Sequence, residues 1–198
     1  MKYLLLFLVA FFSGSIPFSY IFGKLFLKVD IRDFGDKNPG AVNAFRAGGF
    51  WVGFLSLLFD YLKGAVPLYL ILIYGKLNVI ERTHALSFAL ISIAPVLGHI
   101  FTPFLKFKGG KGIDTTVGIW SALTLWEVPV FLGGFFTIFL ILKKIVKEKI
   151  TDTLIVIVSM ILLIVFVAFR YRSLHYILTA FLNASLLLLG QYREKLFK

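Results

Sequence analysis

The chain has no cysteine. That excludes disulfides, thiolate nucleophiles and cysteine-held metal centres, and it leaves the redox compartment open. Acidic residues are scarce, with 10 Asp and Glu against 21 Lys and Arg and a formal net charge of +11. Only three histidines occur, His84, His99 and His175, and their scatter gives no metal-ligand spacing. No Ser-His-Asp nucleophile pattern is recognisable. The glycine spacing ahead of Gly110-Lys111 is not that of a P-loop, so nothing argues for ATP. RNA-binding aromatic motifs and a basic arm are also missing, so the positive charge does not point to nucleic acid. No metal or cofactor is expected.

What is present is apolar. Of 198 residues, 59% are hydrophobic and the mean hydropathy is +0.91, against about 45–50% apolar in soluble domains. The runs 154–169 and 176–189 come close to the length that crosses about 30 Å of hydrocarbon as a helix. Only helices and closed barrels satisfy the backbone in lipid, and these runs lack the period-two alternation of a barrel. Met1-Lys2, an apolar stretch and Ser13-Gly14-Ser15 resemble a signal peptide, but apolar character resumes over 16–26 and favours a first transmembrane helix. The expectation is an all-α membrane protein of one domain over 1–198. Its seven transmembrane helices are expected at 3–26, 50–74, 84–104, 113–126, 129–142, 153–169 and 173–190.

Charge sets the count and the orientation. Lys106, Lys108 and Lys111 crowd one loop, and Lys143, Lys144, Lys147 and Lys149 another. Positively charged loops stay cytoplasmic, so an even number of crossings separates these two. Two spans result, broken at Trp126-Glu127-Val128-Pro129, because proline suits a helix start and disfavours helix before it. With the N-terminus outside and the C-terminus cytoplasmic, fifteen cations fall on inner segments and five on outer ones; only Lys63 lies within a span.

Three features go beyond topology. The loop from Asp30 to Arg46 mixes Gly35, Asp36, Asn38, Gly40, Asn43 and Arg46 between two apolar helices. Glycines let backbone N–H groups turn toward an anion, and Arg and Asn add donors; a solvated turn has the same composition. The segment Phe107-Lys108-Gly109-Gly110-Lys111-Gly112 precedes a helix whose first residues include Asp114, Thr115 and Thr116. Amides at a helix start, beside lysines, suit a phosphate; the plainer reading is a flexible basic loop. Third, Asp60 and Lys63 lie three apart on one helix face, and His99 sits near the inner end of another. Charge inside the membrane points to function, although Asp60 and Lys63 also have each other to pair with.

Together these residues resemble the bacterial membrane acyl-phosphate:glycerol-3-phosphate acyltransferases, along nearly the whole chain. The resemblance rests on Ser13-Gly14-Ser15-Ile16-Pro17-Phe18, Asp30-Ile31-Arg32, Asp60-Tyr61-Leu62-Lys63-Gly64, and most specifically Gly98-His99 with Phe107 to Gly112. It implies transfer of a fatty acyl group from acyl-phosphate to the sn-1 hydroxyl of glycerol-3-phosphate, giving lysophosphatidic acid for phospholipid synthesis. The family's seven helices and outside N-terminus agree with the count from charges. The implied protein is a multi-pass cell-membrane enzyme with its site loops facing the cytoplasm. Its implied partners are the two substrates, the lipid bilayer and other phospholipid-synthesis enzymes, and not nucleic acid.

Within that resemblance Lys108, Lys111, Arg46 and Arg193 are expected to carry phosphate and leaving-group charge. Gly35, Gly40, Gly109, Gly110 and Gly112 supply backbone shape and N–H groups. Asn38, Asn43, Glu194 and His99 orient substrate or loops, Asp60 positions Lys63, and Asp36 is a candidate acceptor of the hydroxyl proton. The departures fall at these same positions. Asp36 stands where the family pattern has serine, Lys37 where it has glycine and Val42 where it has threonine. The tail Tyr192-Arg193-Glu194-Lys195 keeps two of four pattern residues, and Asp114 adds an acid after the glycine loop. A carboxylate beside a phosphate repels it unless neutralised. These changes keep open a non-catalytic or altered-specificity relative that binds phosphorylated lipid precursors. A small anion transporter is the remaining class; its polar groups belong at mid-membrane, whereas these cluster toward one side.

Overall fold

The computed structural model of the chain describes residues 1–75, 84–145 and 151–196, with the side chains of 140, 143, 144 and 193–196 outside that set. Nine α-helices follow among these residues. They are α1 (Lys2–Ser15), α2 (Phe18–Phe22), α3 (Ala41–Gly48), α4 (Phe50–Tyr74), α5 (Ala85–Ile100), α6 (Ile113–Thr124), α7 (Glu127–Ile145), α8 (Asp152–Tyr171) and α9 (Leu174–Leu196). A π-helical stretch, Gly23–Leu27, extends α2. The described residues contain no strand. Helix throughout is what lipid demands, since each helix satisfies its own backbone.

The protein is an integral membrane protein. Five stretches are long and apolar enough to cross a bilayer: Lys2–Leu27, Phe50–Tyr74, Ala85–Leu105, Asp152–Tyr171 and Leu174–Tyr192. The apolar part of α7, Glu127–Phe139, is shorter, and α6 has 12 residues. One buried cluster joins α1 and α4 through α9, with Phe88, Trp120, Leu132, Leu163 and Leu187 at its heart. Helix α5 is the most enclosed span. Its approach to α1 is set by two glycines. A Cβ at Gly14 would lie 2.1 Å from the Pro95 carbonyl oxygen, and one at Gly98 would lie 2.1 Å from that of Phe11. Small residues let membrane helices pack backbone to backbone, and here they hold α5 against the first span.

Two boundaries matter for function. The first span, read as continuous over 3–26, is interrupted where Pro17 follows Ser15 and Ile16. Proline withholds a donor and clashes with the preceding turn, which frees carbonyls in an apolar setting. Side chains from other elements take them up: Thr102 donates to the Ser15 carbonyl at 2.6 Å, and Lys63 Nζ donates to that of Ile16 at 2.8 Å. The break therefore draws a lysine and a threonine toward itself. The region 113–145 divides into α6 and α7 at Leu125-Trp126, with Pro129 in the first turn of α7. Glu127, which opens α7, accepts from Arg170 and from the Tyr171 hydroxyl, each at 2.8 Å, and so joins α7 to the end of α8.

Candidate active site

The two glycine-rich loops meet. Asp36, in the loop before α3, holds Lys111 of the loop before α6, with Lys111 Nζ 2.6 Å from Asp36 Oδ2. The other carboxylate oxygen accepts from Asn43 Nδ2 at 2.9 Å and from the Asn38 backbone N–H at 3.2 Å. Asn43 Nδ2 also donates to the Asn38 carbonyl at 2.9 Å, and Arg46 donates to Asn43 Oδ1 at 3.2 Å. Five of the residues singled out in sequence thus form one connected polar group: Asp36, Asn38, Asn43, Arg46 and Lys111. Burial raises the affinity of Asp36 for a proton, but the Lys111 hydrogen bond and charge, with the Asn38 and Asn43 donors, outweigh it. The carboxyl is held below its ordinary range.

The backbone of this loop explains its glycines. Gly35 has φ +54°, and a Cβ there would run into the Arg46 guanidinium and the Asn43 amide oxygen. The next such position carries a side chain: Lys37 has φ +63°, a left-handed conformation that costs a non-glycine residue about 1–2 kcal/mol. This is the position where the family pattern has glycine, and the fold keeps the glycine-like geometry with lysine in place. Gly40 caps the start of α3, and Asn43 is buried one turn inside it.

The second loop wraps the end of α5. The N–H of Gly109 donates to the Ile100 carbonyl and that of Gly110 to the His99 carbonyl, both at 3.1 Å. A Cβ on Gly109 would lie 1.9 Å from the His99 carbonyl oxygen, and one on Gly110 would lie 2.1 Å from His99 Nε2. Only glycine at both positions lets the loop lie flat on His99. Gly112, with φ +85°, then caps α6.

Deeper in, α2, α4, α5 and α6 bring together a buried polar cluster. Lys63 Nζ stands 2.8 Å from Asp60 Oδ1, and both side chains are 2% exposed or less. Ser19 donates to the other Asp60 oxygen at 2.5 Å. Thr115 donates to the Asp60 backbone carbonyl at 2.9 Å and lies 3.2 Å from His99 Nδ1. A small cavity of about 10 Å³ is lined by Asp60, Lys63, His99, Gly109, Gly110 and Pro39. Pro39 belongs to the first loop, so the cavity lies between the buried cluster and both glycine loops.

Lys108 is exposed and, among the described residues, forms no ion pair; it does not join the group around Asp36. The Arg193 and Glu194 side chains lie outside the described residues. Ser19, Thr102 and the Ile16 carbonyl were not anticipated from sequence. The one signal for them was Pro17, because a proline within an apolar span frees carbonyls that must find donors elsewhere.

A profile of the family described as glycerol-3-phosphate acyltransferase matches residues 4–197. The chain belongs to the glycerol-3-phosphate acyltransferase family. A glycerol-3-phosphate acyltransferase 1 of Thermotoga maritima is 43% identical over 124 residues, covering 63% of this chain and 59% of that protein. A glycerol-3-phosphate acyltransferase of Pelagibacter ubique is 42% identical over 138 residues, covering 70% and 65%. The aligned stretch thus spans about three-fifths of each relative. Among solved structures, the glycerol 3-phosphate form of PlsY (YgiH), an integral membrane glycerol 3-phosphate acyltransferase, superposes with a TM-score of 0.79 at 28% identity. That match covers 100% of this chain and 91% of the other. The lysophosphatidic acid form of the same protein gives a TM-score of 0.76 at 27% identity.

Proposed function

We propose that this acyltransferase-family chain moves a fatty acyl group from acyl-phosphate to the sn-1 hydroxyl of glycerol-3-phosphate, forming lysophosphatidic acid and inorganic phosphate for phospholipid synthesis. The observation that carries the proposal is the meeting of the two glycine-rich loops at Asp36 and Lys111, beside Arg46 and above a buried Asp60–Lys63–His99 cluster. Both substrates bring phosphates, and Lys111, Arg46 and the Asn38 N–H belong to one group here. The acyl tail of the donor has apolar helix faces in lipid beside it.

The chemistry asks little of the protein beyond placement. Acyl-phosphate is a mixed anhydride and already activated. The glycerol hydroxyl oxygen attacks the acyl carbon, the carbon–oxygen bond to phosphate breaks, and the phosphate departs with the electron pair and takes up the hydroxyl proton, leaving as hydrogen phosphate. Holding the two reactants in line and stabilising charge on the leaving phosphate accelerate such a step without a covalent intermediate. In this reading Arg46 and Lys111 bind phosphate, with Lys108 and Arg193 adding charge from flanking positions. Gly35, Gly40, Gly109, Gly110 and Gly112 shape the backbone. Asn38, Asn43, His99 and Glu194 orient substrate or loops, and Asp60 fixes Lys63. Asp36 belongs to the same group through Lys111.

The membrane topology proposed with it has seven crossings, with α6 and α7 as the short pair, the N-terminus outside and the site loops cytoplasmic. The distribution of basic residues supports it. The enzyme is proposed to work alongside other phospholipid-synthesis enzymes, since its donor and product are lipid intermediates. Purified chain in detergent, supplied with acyl-phosphate and glycerol-3-phosphate, is the test. Lysophosphatidic acid that forms with wild type and is lost in Arg46→Ala and Lys111→Ala is the expected result. Glycerol-3-phosphate binding without product, or anion flux in liposomes without product, would overturn it.

A further inference from the structure

The position of Asp36 raises a question that the acyltransferase reading leaves open. Its carboxylate takes three of the donors that an incoming phosphate needs. Lys111 Nζ is 2.6 Å from Oδ2, and the Asn43 amide and Asn38 N–H both point at Oδ1. Arg46 is tied to the same network through Asn43. The Asp36–Lys111 contact joins loops 75 residues apart in sequence. Both partners are partly exposed, with side-chain accessibilities of 39% and 20%, so an anion can reach the pair from solvent. The Asp60–Lys63 pair is different, because it is sealed from water.

We infer that Asp36 is a resident counter-anion and a determinant of substrate affinity: it occupies Lys111 and the Asn38–Asn43 donors until a substrate phosphate displaces it. The inference rests on the acyltransferase reading of this site for its substrate, and it assigns Asp36 a role other than proton acceptor. Two physical points support it. A carboxylate that already holds charge-assisted bonds on both oxygens is stabilised as the anion and is a weak base. In addition, a phosphate arriving at Lys111 meets a like charge within a few ångströms. Binding then becomes an exchange of partners at Lys111 rather than the filling of a vacant site. The loops are held together without substrate, and the cost is a weaker grip on phosphate. Removing one negative charge about 4 Å from a bound anion in a water-exposed site is worth about tenfold in affinity, more where water is partly excluded.

The experiment compares wild type, Asp36→Asn and Asp36→Ser in detergent, by calorimetric titration with glycerol-3-phosphate and with inorganic phosphate, and by the KM for glycerol-3-phosphate. Counter-anion behaviour predicts Kd and KM about tenfold lower in both variants, and loss of that gain when Lys111→Met is added. Affinity that is unchanged or weaker in both folded variants would overturn the inference, and so would a gain that survives Lys111→Met. A folded variant is one that retains the wild-type thermal transition. The binding arm stands apart from turnover. If wild type makes no lysophosphatidic acid, the acyltransferase reading fails, while the phosphate titrations still decide the role of Asp36.

Discussion

The buried pair between Asp60 and Lys63 gives the sharpest energetic prediction. Lys63 Nζ sits 2.8 Å from Asp60 Oδ1, and the pair is closed off from solvent. Asp60 also accepts from Ser19 and has His99 Nδ1 3.9 Å from Oδ1, and Lys63 also donates to the Ile16 carbonyl. Replacing Lys63 with methionine nearly keeps the side-chain length and leaves the buried carboxylate with Ser19 as its donor and His99 3.9 Å away. Removing one partner of a buried pair costs about 3–5 kcal/mol, because the remaining charge is stranded. Replacing both, as Asp60→Asn with Lys63→Met, removes the stranded charge and leaves only lost hydrogen bonds, each about 0.5–1.5 kcal/mol. For a protein of this size 1 kcal/mol corresponds to about 2–4 °C in Tm, so Lys63→Met is expected to lower Tm by about 6–20 °C. The double variant is expected to recover more than half of that. The three tryptophans, among them the fully buried Trp120, give an intrinsic fluorescence signal for thermal scans in detergent. A double variant as unstable as the sum of the single ones would refute the pairing argument, and so would a Lys63→Met variant with a wild-type Tm.

Four further outcomes are expected. Lys37→Gly relieves a left-handed lysine and should stabilise by about 1 kcal/mol, seen as a rise of a few degrees in the same scan. Gly110→Ala should abolish acyl transfer, because its Cβ would lie 2.1 Å from His99 Nε2; product formation at wild-type rate would contradict the packing. Asn183→Ala removes the acceptor of Trp120 Nε1 and the donor to Thr116, each at 2.9 Å. It should cost about 1–3 kcal/mol, read as a lower Tm. Asp30 is held at about 2 by the Arg32 hydrogen bond, against its burial and with Arg32 and Lys24 charge adding. A depressed carboxyl contributes stability that is complete above the ordinary value of 3.8 and lost as pH falls toward 2. Wild-type Tm should therefore fall more steeply than that of Asp30→Asn between about pH 4 and pH 2.

What the sequence makes legible follows from how local each cause is. Asp60 and Lys63 are neighbours on one helix face, so their pairing is written in their spacing. The division of 113–145 into two helices follows from the basic loops on either side and from Pro129, although the break falls one or two residues earlier, at Leu125-Trp126. The two glycine-rich loops are legible as candidates for an anion site. Their meeting is not, because no local signal links Asp36 to Lys111 across 75 residues. Ser19 is ordinary in sequence, and only the fold brings it to Asp60. The first span reads as continuous because its composition is uniformly apolar; the interruption depends on one proline and on donors supplied by Lys63 and Thr102. Lys108, adjacent to Gly109 in sequence, is exposed and stands apart from the group that Lys111 joins.

The two loops are proposed to form one site for acyl transfer between phosphorylated substrates. Radiolabelled glycerol-3-phosphate, acyl-phosphate and purified protein test it directly, with labelled lysophosphatidic acid and released phosphate followed together. Wild type is expected to give the two products in equal amounts, and Lys111→Met neither above background. Phosphate release without lysophosphatidic acid, or equal turnover by Lys111→Met, would contradict it.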